Sequence, residues 1–211
     1  MGDTSATVKP FDLNLLEPYK SYKTEDVSGD YLRYKITEDG ISPQLIPGKA
    51  KQFVTADSDE HDERGWITES SEMRIAMMDK RMRKLNKLKL ELLEPEFLGS
   101  ETCDTLFVGW GSTYGPISEA VKLLNNVQKC KYGALVFGDI YPLPTKLLEE
   151  KASSVKQIIN IEQNATGQLA DLIREQTGIT CTASLLKYDG RQISGEEIAE
   201  KIQRGLNYEH K

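Results

Sequence analysis

From Cys103 onward, short uninterrupted apolar runs alternate with stretches of helical pattern. That alternation narrows the possible folds more than any other feature of the chain. Thr105 to Trp110 is the first run; a glycine turn and a helix from about Ile117 to Val127 follow it. Ala134 to Phe137 is the second, followed by Pro142-Leu143-Pro144 and a helix near Thr145 to Lys151. Val155 to Ile161 is the third and leads to a helix over Leu169 to Gln176. Thr180 to Leu186 is the fourth. Ser194-Gly195-Glu196-Glu197 then makes a capping box that opens a last helix to about Arg204. Strands that are apolar throughout need cover on both faces. The pattern predicts an α/β domain over residues 100–211: a three-layer α/β/α sandwich with a mostly parallel sheet. The sequence holds no internal repeat.

The preceding residues read differently. Residues 1–68 carry Pro10, Pro18, Pro43 and Pro47 among several glycines, and read as an extended arm or linker that packs on something else. Tyr31-Leu32-Arg33-Tyr34 is a candidate edge strand within it. Residues 69–95 read as a connecting amphipathic helix. Ile75, Met78, Met82, Leu85, Leu88 and Leu92 recur at helical spacing and predict one apolar stripe. Thr68 or Ser70 is the candidate cap, and Glu94-Pro95 the stop.

Charge and cysteine usage exclude some functions. The net charge of −6 argues against nucleic acid as the main partner. Cys103, Cys130 and Cys181 are scattered, with no Cys-x-x-Cys pair, so no iron–sulfur or zinc site is expected on this chain. Each reads as a small buried hydrophobe in a reducing compartment. Met1 to Pro10 is polar and is no secretory signal, and no apolar stretch reaches the length of a membrane span. The chain reads as cytoplasmic, with no membrane partner.

Two turns at strand ends are the candidate sites. Gly109-Trp110-Gly111-Ser112-Thr113-Tyr114-Gly115 departs from the dinucleotide fingerprint, because its third glycine falls one place late. It reads as a tight strand-to-helix turn, or as an anion or partner contact at a helix start. Glu162-Gln163-Asn164-Ala165-Thr166-Gly167-Gln168-Leu169 sits where open α/β sheets present ligand and partner sites. Asn164 and Thr166 read as helix-capping groups, whereas Glu162, at the end of a buried strand, requires a partner. The site-proximal or interface set is therefore Gly109, Gly111, Ser112, Thr113, Glu162, Asn164, Thr166, Gly167 and Gln168. The acidic run Asp57 to Glu63 reads as a solvated or partner-facing loop. The basic residues Lys80 to Lys89 form an exposed face or a dock for an acidic partner. His61 and His210 are the only histidines, and no nucleophile–base pair stands out. No catalytic residue is assigned.

Several blocks, in order, resemble the alpha subunit of 2-oxoacid:ferredoxin oxidoreductases, especially the 2-oxoglutarate type. They are Tyr34 to Pro43, Asp59 to Gly65, Asp79 to Leu85, Gly109 to Thr113, Glu162 to Leu169, and Lys187-Tyr188-Asp189-Gly190-Arg191. Gln192 departs from the pattern, which has proline there. The resemblance implies a domain like the C-terminal domain of transketolases. It implies an enzyme that oxidatively decarboxylates a 2-oxoacid with coenzyme A, giving acyl-CoA, carbon dioxide and reduced ferredoxin. Thiamine diphosphate, magnesium and iron–sulfur clusters are then expected on the beta subunit, with no cofactor on this chain. A pyrimidine-side domain is expected upstream of Met1. The beta subunit and, through the complex, ferredoxin are the implied partners; this segment's role is assembly. The other readings are a stand-alone α/β module that binds a small anion or a protein, and a scaffold that docks through its basic helix.

Overall fold

The computed structural model describes residues 29–48, 51–127 and 131–205, together with Asp12 and Asn14. Cys130 and His210 lie outside the described residues, as does most of the arm before Gly29. The chain divides into two compact units, Pro10–Glu91 and one built on Leu92–Lys211.

The first unit is organised by helix α1 (Ser71–Leu88), capped by Ser70, whose side chain accepts from Met73 N at 3.2 Å. The described residues of 29–68 hold turns and a single bridge, His61 to Ile67. Tyr31 to Tyr34 form no strand. Instead the Tyr31 ring is buried; its hydroxyl donates to Pro43 O (3.0 Å) and accepts from Leu45 N (2.9 Å). These residues pack on α1 through an unexpected face. Met77 and Lys80 are its buried side chains, whereas Ile75 is 63% exposed and Met82 and Leu88 are exposed with it. The apolar stripe read from the sequence is therefore not the face this unit covers. Lys80 reaches inward by its long stem and donates to Tyr34 O and Ser42 Oγ, which an apolar side chain would leave without that donor. The acidic run is consumed locally. Glu60 pairs with Arg74 and Arg81, each at 2.5 Å, and Asp62 Oδ1 accepts from Arg64 N and Trp66 N.

The second unit is a three-layer α/β/α sandwich. Its strands are β1 (Glu96–Gly99), β2 (Thr105–Trp110), β3 (Tyr132–Phe137), β4 (Gln157–Glu162) and β5 (Ala183–Leu186). The spatial order is β1-β3-β2-β4-β5; the last four are parallel, and β1 pairs antiparallel with β3 at the edge. β1 was not foreseen. Its register places Gly99 opposite Gly133, and both positions are closed to larger residues. A Cβ on Gly99 would lie 2.5 Å from Tyr132 O, and one on Gly133 would lie 2.8 Å from Cys103 Sγ.

Four helices cover the sheet: α2 (Tyr114–Val127), α3 (Lys146–Ala152), α4 (Gln168–Thr177) and α5 (Gly195–Gln203). Strand side chains alternate between two cores. Phe107, Ala134, Ile159 and Ile161 pack with Ile117, Leu124 and Ile198 of α2 and α5. Leu106, Val108, Leu135, Phe137 and Ile158 pack with Leu148, Leu169 and Ile173 of α3 and α4. Each of the larger of these side chains contributes about 1.5–3 kcal/mol by burial. Asn160 and Glu162 continue the Ile158 phase of β4, so two polar side chains face the α3/α4 layer.

Candidate functional site

The chain leaves β2 through α2 towards β3, and leaves β4 through α4 towards β5, in opposite directions across the sheet. The carboxyl ends of β2 and β4 therefore flank a topological switch point, the usual crevice for ligands in open α/β sheets. Here the crevice is filled from within. Glu162 is fully buried, and its two carboxylate oxygens meet four donors. Trp110 Nε1 donates to Oε2 at 3.0 Å and Asn164 Nδ2 to Oε2 at 2.7 Å. Asn160 Nδ2 donates to Oε1 at 2.7 Å and Leu169 N to Oε1 at 2.9 Å. The carboxylate thus ties the end of β2, the body of β4 and the first turn of α4 to one point. It supplies the partner for its own burial and an acceptor for a helix-start amide.

The rest of the block serves the same turn. Asn164 Oδ1 accepts from Thr166 N (3.1 Å) and Gly167 N (2.7 Å). Gly167 caps α4 at φ 70°, a left-handed conformation that favours glycine. Gln163 Oε1 accepts from Ile193 N at 2.8 Å, fixing the loop before α5. On β2, a Cβ at Gly109 would lie 2.3 Å from Ile117 Cδ1, so this glycine admits α2 against the strand. Thr113 is buried, with its hydroxyl accepting from Trp110 N and donating to Trp110 O.

The nine residues read from the sequence therefore fall into two groups. Glu162, Asn164, Gly167, Gly109 and Thr113 build the crevice floor. Gly111, Ser112, Thr166 and Gln168 are exposed at its rim. Trp110 and Asn160 were missed. The signal for each was a buried polar atom: an indole N–H at a strand end, and an amide inside the apolar run Ile158 to Ile161. Asn160 Oδ1 has no hydrogen-bond partner among the described residues.

Beside this floor the sheet edge carries large exposed aromatics at the end of β2 and on two loops: Trp110 (40% exposed), Tyr141 (68%) and Tyr188 (71%). Tyr188 belongs to a turn closed by Asp189 Oδ1 accepting from Arg191 N, with Lys187 paired to Asp189 (3.2 Å) and Glu197 (3.0 Å). The turn forms with Gln192 in place of proline. Both described cysteines are unsuited to thiolate chemistry. Burial pushes the Cys181 thiol up to about 11, with the Glu162 charge adding to it, and burial also raises Cys103. A cavity of about 520 Å³ lies at the other edge of the sheet, near Gln157 and Thr182, away from this network. No helix among the described residues is long and apolar enough to cross a membrane.

Residues 103–198, which include the switch point and every strand of the parallel sheet, match the family described as pyruvate:ferredoxin oxidoreductase core domain II. The Leu92–Lys211 unit is thus a core domain of the ferredoxin-linked oxidoreductase class. A 2-oxoacid:ferredoxin oxidoreductase alpha subunit of Aeropyrum pernix is 36% identical over 181 residues, 84% of this chain and 28% of the relative. Its counterpart in Saccharolobus solfataricus is 34% identical over 174 residues, covering 81% of this chain and 27% of the relative. The solved 2-oxoglutarate:ferredoxin oxidoreductase of Magnetococcus marinus, with 2-oxoglutarate, coenzyme A and succinyl-CoA bound, superposes with a TM-score of 0.76. It is 30% identical, and the match covers 88% of this chain and 32% of that one. The chain belongs to the 2-oxoacid:ferredoxin oxidoreductase alpha-subunit family. It spans less than a third of the length of these relatives.

Proposed function

We propose that this chain is the C-terminal part of the alpha subunit of a thiamine-dependent 2-oxoglutarate:ferredoxin oxidoreductase and that it serves assembly. In that reading the whole complex converts the oxoacid and coenzyme A to acyl-CoA and carbon dioxide, passing electrons to ferredoxin. The observation that carries the assembly role is the saturated Glu162. Four donors occupy its oxygens, so it organises the sheet edge and does no proton transfer. What remains accessible at that edge is a rim of small residues and three aromatics, the composition of a packing surface. The Magnetococcus marinus likeness favours 2-oxoglutarate over other oxoacids.

Thiamine diphosphate supplies carbanion stabilisation and the clusters carry electrons. The residues described here do not fit either group. The buried carboxylate is fully bonded, and the two thiols are raised by burial and separated in the fold. In the proposed reading these cofactors sit on the beta subunit and this chain alone is inactive. The test is 2-oxoacid-dependent ferredoxin reduction by the assembled complex, with coenzyme A present and absent. The expected result is a requirement for coenzyme A, preference for 2-oxoglutarate over pyruvate, and no turnover by this chain alone. Turnover without a partner, or no association with a thiamine- and cluster-bearing subunit, overturns the reading.

A further inference from the structure

The Pro10–Glu91 unit contains a cavity of about 420 Å³ whose polar wall combines four cationic side chains with the neutral groups of Ser42 and Gln44. Arg33, Lys80, Arg81 and Lys84 line it, with the stacked rings of Tyr34 and His61 (centroids 3.7 Å apart), and no carboxylate does. We propose that this cavity binds the phosphate group of a small phosphorylated organic molecule. The proposal does not rest on the oxidoreductase reading.

Lys80 carries the argument. It is 6% exposed, yet its ammonium bonds only neutral oxygens, Tyr34 O at 2.7 Å and Ser42 Oγ. A buried charge is normally paired, and the third ammonium hydrogen has no protein acceptor among the described residues. Desolvation lowers its pKa to about 8; Glu63 opposes this, while Arg81, Lys84 and Arg33 add to it. Among the described residues Arg81 forms an ion pair, with Glu60, whereas Glu63 acts on Lys80 without pairing with it. Arg33 and Lys84 have no ion pair among the described residues. A carboxylate ligand would offset one of these charges. A phosphate offers up to two and presents three acceptor oxygens to converging donors. The cavity is larger than a phosphate ion, and Met77, Ile41 and the ring pair give its remainder an apolar wall. That fits the organic part of an ester. The competing account makes Lys80 a pin between Tyr34, Ser42 and α1, with the surrounding cations incidental.

The experiment is calorimetric titration of the full chain with phenyl phosphate, inorganic phosphate and benzoate. Saturable binding of phenyl phosphate is expected, with inorganic phosphate and benzoate at least about tenfold weaker. The double variant Arg33→Gln, Lys84→Gln leaves both Lys80 hydrogen bonds in place. It should keep the wild-type melting midpoint and lose about tenfold or more in affinity. If the double variant misfolds, Arg33→Gln alone provides the same comparison. Absence of saturable phenyl phosphate binding overturns the proposal. So does equal affinity in a folded variant, or benzoate binding as tightly as phenyl phosphate.

Discussion

Among the described residues each unit of this chain buries one charged side chain, and the two are satisfied in opposite ways. Glu162, at 0% exposure, has four donors around two oxygens, drawn from two strands, a loop and a helix start. Lys80, at 6%, has two neutral acceptors and a wall of further cations. A charge surrounded by its full complement of hydrogen bonds holds a structure together. A charge bonded only to neutral atoms is held in place while its field stays unanswered, and that leaves work for a ligand. Substitutions that remove each charge while preserving bulk separate the two cases.

The largest effect is expected at Glu162. Glu162→Leu leaves the Trp110 indole, two amides and Leu169 N without their acceptor around a fully buried position. A loss of about 3–5 kcal/mol is expected, read from the denaturant midpoint of the Leu92–Lys211 unit. A loss under about 1 kcal/mol would show the carboxylate to be dispensable and would collapse the comparison. Trp110→Phe comes next. It keeps an aromatic ring but removes the pyrrole half of the indole and with it one of the four donors, so about 1–2 kcal/mol is expected in the same measurement. If Trp110→Phe costs as much as Glu162→Leu, the ring's packing rather than its N–H holds the crevice.

The two regions also differ in how much the sequence disclosed. The parallel sheet was legible because continuous apolar runs of strand length mark strands covered on both faces, and β2 was read to its exact residues, Thr105–Trp110. In that unit the other strands and helices shifted by up to three residues, the usual behaviour of frayed ends, whereas the helix read over 69–95 stops at Leu88. β1 escaped because Glu96–Gly99 is only four residues long and is defined by a long-range pairing with β3. At the site, a need for partners was legible in Glu162, but the partners were not. Trp110 lies 52 positions away in sequence, and only the strand order brings it there. In the first unit the misreading went deeper. Periodicity chose the Ile75–Met82 stripe, whereas packing chose Met77 and Lys80. A helical pattern records which face is apolar, not which face this particular chain covers.

Lys80→Met carries the smaller expected effects and tests the other half of the comparison. The methionine keeps the stem and removes an uncompensated charge, at the expense of the bonds to Tyr34 O and Ser42 Oγ. These terms oppose each other, so the net change near neutral pH is expected within about 1 kcal/mol of zero. A loss as large as that of Glu162→Leu would make Lys80 a clamp of the same kind. The pH dependence sharpens the point. Burial pushes Lys80 down to about 8 in the folded chain, against 10.5 for a free lysine. Between those values the unfolded chain binds more protons, so the stability of the Pro10–Glu91 unit rises with pH across this window. Below about 8 both states are protonated, and the full penalty of burying the charge is present. Lys80→Met should abolish this rise, measured as the difference between wild-type and variant unfolding curves from pH 7 to 10.5. A wild-type minus variant difference that is flat, or that falls with pH, would mean that the buried ammonium is already neutralised by the protein, leaving the cavity no charge for a ligand to answer.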